Sequence, residues 1–129
     1  MRRDVYFGLL KIKGEEHAET LREANNYAWD LLQLRRFEEA KTLLRKIMPA
    51  ARRVLGESRE LTLLVRWNYA QTLYKDDGAT LDDLREAVTT GEDIARIARR
   101  VLGDAHPLTS VMERHLRNAQ DALYARGLP

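Results

Sequence analysis

The hexapeptide Ala51-Arg52-Arg53-Val54-Leu55-Gly56 returns unchanged as Ala98-Arg99-Arg100-Val101-Leu102-Gly103. Recurrence at that length in a chain without low complexity marks an internal repeat, and a repeat array restricts the architecture to units that bury their apolar faces against one another. A second anchor keeps the same register. After each glycine comes a polar corner and a threonine near a new helix start, in His17-Ala18-Glu19-Thr20, Arg59-Glu60-Leu61-Thr62 and His106-Pro107-Leu108-Thr109. The anchors place one unit at residues 17–58 and a slightly longer one at 59–105, with a turn insertion around Lys75-Asp76-Asp77-Gly78-Ala79-Thr80. A closing helix follows at 106–126. Lys13-Gly14-Glu15-Glu16-His17 repeats the corner ahead of the first unit, so residues 2–13 read as the second helix of an incomplete preceding unit. The whole, 1–129, is expected to be one domain.

Within each unit the apolar residues recur at intervals of three and four. Leu21, Ala24, Tyr27, Ala28 and Leu31 form one stripe, and Phe37, Ala40, Leu43, Leu44 and Ile47 a second after the polar break at 33–36. Leu63, Tyr69, Ala70 and Leu73, then Leu81, Leu84, Ala87, Val88, Ile94 and Ile97, do the same in the next unit. A period near 3.6 requires helices, and a short break between two stripes turns them into an antiparallel pair. Thr80 and Asp83 stand at capping-box spacing where the last of these helices begins. The fold class expected is all-α: antiparallel helical hairpins stacked as a short right-handed solenoid of about six helices.

Two residues interrupt the pattern. Pro49 has no N–H to donate and its ring crowds the carbonyl four residues earlier, so a kink is expected near Arg45 to Met48. Gly91 stands where Leu44 stands in the first unit. It gives up about 1 kcal/mol of helix propensity relative to alanine, so either a neighbouring helix packs close against it or a pocket for an apolar group opens there.

Composition removes several kinds of chemistry. The chain has no cysteine, which excludes thiolate catalysis, zinc–thiolate sites and disulfides together and leaves a cytoplasmic location as the expectation. Lysine and arginine number 22 against 20 acids, with the signs interleaved, a balance that argues against nucleic acid. The start Met1-Arg2-Arg3-Asp4-Val5-Tyr6-Phe7-Gly8-Leu9-Leu10-Lys11 is too short an apolar run for a signal peptide and is broken by Lys11 and Lys13. No stretch approaches the length that would cross a bilayer, so no membrane partner is expected.

The corner Leu102-Gly103-Asp104-Ala105-His106-Pro107, the half-corner Leu55-Gly56 and the small-and-aromatic residues Ala24, Tyr27, Ala28, Leu31, Phe37, Ala40, Tyr69, Ala70, Leu73 and Ala87 resemble the tetratricopeptide repeat. The longer units resemble its kinesin light chain-like variety. That resemblance spans residues 14 to about 126. It implies that the first helix of each unit lines a concave face holding an extended peptide. Matched position by position, the groove would be Asn25, Trp29, Leu32 and Gln33, then Trp67, Gln71, Tyr74 and Lys75. In the final helix Arg114, Asn118 and Asp121 correspond, with Arg117 where a small residue belongs, so that helix reads more as a polar cap on the array. The residue types suit the task without the family. Amides donate and accept at once and so bind a peptide backbone of any sequence, while indole and phenol rings supply apolar area with one polar tip. Trp29 and Trp67 lie off the apolar stripes in equivalent positions, which places two large aromatics together on an exposed face.

Nothing in the sequence announces catalysis, a cofactor or a metal. His17 and His106 occupy equivalent corners, and no two histidines stand four apart on a helix. Ser58 and Ser110 lie outside any nucleophile motif. The acids Asp76, Asp77, Asp82 and Asp83 lack the spacing of a calcium loop. Arg52, Arg53, Arg96, Arg99 and Arg100 are interspersed with Glu92 and Asp93 and read as solvated helix faces. The expected function is therefore a non-enzymatic protein-interaction module or scaffold that binds a peptide segment of a partner. One alternative is self-assembly as a homodimer through Val5, Phe7, Leu9 and Leu10, and another a small-molecule site at Gly91.

Overall fold

A computed structural model describes residues 2–127. Among them six helices run in order: α1 (Arg2–Lys13), α2 (Ala18–Gln33), α3 (Phe37–Leu55), α4 (Glu60–Tyr74), α5 (Leu81–Val101) and α6 (Pro107–Gly127), with no strand. Neighbouring helices pack against each other as in a helical-repeat solenoid, α1 on α2, α2 on α3 and α5 on α6. The chain divides into two compact units, one up to Tyr69 and one from Ala70 onward.

The corners read from the sequence are the helix boundaries. Gly14, Gly56 and Gly103 all adopt positive φ, at 86°, 91° and 90°, the region a side chain makes costly, and each donates its N–H back to a carbonyl of the helix it ends. On the far side of the first and last corners a histidine does the capping. His17 Nδ1 accepts from the Glu19 N–H at 3.1 Å, and His106 Nδ1 from the Leu108 N–H at 3.0 Å, each satisfying a donor that has no partner inside the helix. Pro107 opens α6 where its missing N–H costs nothing. The expected capping box is present in full: Asp83 N–H donates to Thr80 Oγ1 at 3.1 Å and Thr80 N–H to the Asp83 carboxylate at 3.0 Å. α3 is helical without interruption through Pro49.

The threonines after the second and third corners tie the helix they open to the preceding one. Thr62 Oγ1 donates to the Ala51 carbonyl, and Thr109 Oγ1 to the Ala98 carbonyl, both at 3.4 Å and both to the first residue of the repeated hexapeptide. The core of the first unit is Leu21, Ala24, Ala28 and Leu31 of α2 with Ala40, Leu44, Ile47 and Ala51 of α3 and Leu63 and Val65 of α4. In the second unit Leu84, Ala87, Ile94 and Ala98 of α5 meet Met112 and Ala119 of α6. Leu81, expected in the α5 stripe, is instead exposed, because as the first helical residue it lies in front of the packed turns.

α4 departs from the single-stripe expectation. Besides Leu63, Val65, Tyr69, Ala70 and Leu73 it buries Thr62, Arg66, Asn68, Gln71 and Thr72, so it is enclosed around most of its circumference. Only Leu61, Leu64, Trp67 and Tyr74 keep intermediate exposure, a narrow strip at helical spacing.

Candidate functional site

In the first unit the two tryptophans meet. The Trp29 and Trp67 rings stack with centroids 6.1 Å apart and planes inclined by 29°, the offset geometry that aromatic quadrupoles favour. Trp29 remains 37% exposed and Trp67 is half-buried, so the pair shows indole surface to solvent while resting on the protein. Beneath it Asn68 Nδ2 donates to Asn25 Oδ1 at 2.9 Å, with both residues buried. This amide pair ties α2 to α4 one residue from Trp67 and one turn from Trp29, and thereby fixes the register in which the indoles stack. Leu32 is buried and Gln33 exposed at the end of α2. Asn25 thus supports the aromatic face from below and offers little surface of its own.

In the second unit Gln71 is buried, while Tyr74 ends α4 and Lys75 follows it. The Tyr74 hydroxyl is hydrogen-bonded to His115 Nδ1 of α6, the rings being 6.1 Å apart. Burial pushes the Tyr74 hydroxyl up to about 12, partly opposed by a hydrogen bond with Asn118 and the charge of Arg114. Burial, then the charges of Lys75 and Arg114, bring His115 down to about 4. Lys75 is itself lowered by burial. At neutral pH the imidazole is therefore uncharged, and the natural arrangement has the phenol donating to Nδ1 with the other ring nitrogen protonated. His115 and Asn68 are the residues that sequence reasoning left out. Asn68 had a signal, since it is the residue after Trp67 on the same helix, whereas His115 is tied to Tyr74 only by tertiary packing.

At Gly91 the helices come close together. A Cβ built there would lie 3.1 Å from Leu116 Cδ1 and 3.6 Å from Leu116 Cα, so α6 approaches α5 closely. The acids of the α4–α5 turn are used locally. Asp76 accepts from the Gly78 N–H, Asp83 caps α5 and Asp82 pairs with Arg85. No group of metal-ligating side chains occurs among the described residues, and no helix there is long and apolar enough to cross a membrane.

The amino-terminal helix carries a separate aromatic cluster. Tyr6 is buried, Phe7 lies 5.0 Å from it and 6.4 Å from Tyr27 by ring centroids, and Arg3 sits over the Phe7 ring. Tyr6, Phe7, Tyr27, Leu31 and Leu43 line an open groove of about 450 Å³ between α1 and α3. Of the four residues expected at a self-association face, Val5 and Phe7 are exposed and Leu9 and Leu10 half-buried.

No curated protein matches the chain. Residues 20–59, the stretch holding most of α2, all of α3 and the corner after them, match the family model of the tetratricopeptide repeat, whose members are generally non-enzymatic protein–protein interaction modules.

Proposed function

We propose that the chain is a protein-interaction module whose first unit presents the Trp29–Trp67 pair, flanked by Gln33 and footed on Asn25 and Leu32, to a peptide segment of a protein partner. The observation that carries this reading is the stacked indole pair left partly open on one face. Large aromatics are costly to expose, and where they are held rigidly at a surface they supply binding area without loss of side-chain freedom. A neighbouring amide, Gln33, can donate to and accept from a peptide backbone. In the second unit the same reading assigns Tyr74, Lys75 and Asn118 to partner contacts and gives Gln71 a supporting place, since it is buried. The length of the units and the leucine–glycine, histidine–proline corner support the kinesin light chain-like variety of the repeat.

The test is a peptide-array or pull-down screen with the wild-type chain beside Trp67→Ala. Loss of bound partner with helicity and melting temperature nearly unchanged supports the proposal. A melting temperature that collapses in the variant assigns Trp67 to the core and removes it.

A further inference from the structure

The outer face of α1 is apolar and open to solvent. Val5 is 47% and Ile12 80% exposed, and they stand seven residues apart, two helical turns on one side. Gly8 lies between them with nothing within 4 Å of a Cβ built on it. This face is distinct from the one α1 turns to α2, where Tyr6 is buried, and from the side on which Phe7 reaches Tyr27.

The charges flanking the face point to what covers it. On one flank Arg2 pairs with Asp30 at 3.5 Å and Lys13 with Glu19 at 3.0 Å, so both cations are already answered within the chain. On the other flank stand Asp4 and Lys11, again seven residues apart. Asp4 is strongly exposed and reaches its neighbour Arg3 only at 4.0 Å, the limit of an ion pair. An acid near the start of the helix and a base near its end on one flank are self-complementary when two such helices run antiparallel.

We propose that this face is the contact between two copies of the chain, with the α1 helices packed antiparallel about a two-fold axis beside Gly8. In that arrangement Val5 of each copy lies against the other's Ile12, the glycines let the backbones approach, and each Asp4 falls beside the other's Lys11. The contact is isologous, as a two-fold requires, and the face is that of a single short helix, so the dimer belongs to the small, reversible class of interfaces. It lies on α1 and leaves the Trp29–Trp67 face free for a partner.

Sedimentation velocity across the micromolar range tests this. The wild-type chain is expected to show a concentration-dependent monomer–dimer equilibrium. Ile12→Asp should raise its dissociation constant by about tenfold or more with helicity unchanged, because it sets a charge against an apolar surface. Asp4→Lys and Lys11→Asp should each weaken self-association. Mixing the two single variants should recover it. The first then carries a base at both positions and the second an acid at both, so every charged contact across the mixed dimer joins opposite signs. A strict monomer at every concentration overturns the proposal. So does a dimer indifferent to Ile12→Asp, or a mixture of the two charge variants that associates no better than either alone.

Discussion

The Thr62 hydroxyl donates to the carbonyl of Ala51, and in the next unit Thr109 repeats the bond to Ala98 at the same 3.4 Å. Each bond spans the glycine corner and joins the start of one helix to the preceding one, so the repeated hexapeptide and the recurring threonine are two ends of a single structural device. Thr20 holds the equivalent place after the first corner and is equally buried, yet its hydroxyl has no hydrogen-bond partner among the described residues.

That difference separates three otherwise alike substitutions. Thr62→Val and Thr109→Val each lose a long hydrogen bond and should cost up to about 1 kcal/mol, read as a lower midpoint in denaturant unfolding. Thr20→Val removes a buried hydroxyl that makes no such bond and should be neutral or stabilising. Equal destabilisation by all three would contradict the assignment.

The parts of this fold readable from the chain are those that repeat or cap. Gly56 and Gly103 end identical hexapeptides because both must take positive φ, and Thr80 with Asp83 forms a box whose two members lie three residues apart, so local sequence contains the whole device. α4 escaped the same reasoning for a physical reason. A stripe pattern presupposes one buried face, whereas α4 is enclosed on most sides, so Asn68, Gln71 and Thr72 are interior despite their polarity. Hence Asn25 and Gln71, amides expected to face a peptide, instead lie within the protein, where Asn25 is satisfied by Asn68. The tryptophans were legible as a pair because their equivalent registers project the same way. Their stacking distance depends on how α2 and α4 cross, which no local pattern encodes.

Close approach of α5 and α6 at Gly91 makes a graded prediction. Gly91→Ala gains about 1 kcal/mol of helix propensity and is crowded chiefly by the flexible end of Leu116, which can yield, so its stability should stay near that of the wild type. Gly91→Leu has no room and should destabilise by about 1 to 3 kcal/mol. Pairing it with Leu116→Ala should recover part of the loss, as measured by thermal unfolding. A Gly91→Leu variant more stable than wild type would show that the space is open after all.

His115 makes the second unit sensitive to acid. Its folded pKa of about 4 lies below the ordinary 6.5, so the folded state resists a proton that the unfolded chain accepts. The contribution is fully present above pH 6.5 and is lost as pH falls from there towards about 4. Melting temperatures over that window should decline for the wild type and decline less for His115→Gln, which cannot titrate. An NMR titration that finds the His115 ring half-protonated near its ordinary value would refute the burial argument.

A partner peptide lying against the stacked indoles can be detected directly, because Trp29 and Trp67 are the only tryptophans in the chain. Intrinsic fluorescence, followed while a tryptophan-free peptide identified by the array is titrated in, therefore reports from this face alone. Binding should shift or quench the emission along a saturable curve whose dissociation constant matches calorimetry on the same solution. Calorimetric binding of that peptide with the emission unmoved would place the partner elsewhere on the protein and rule out the indole face as its site.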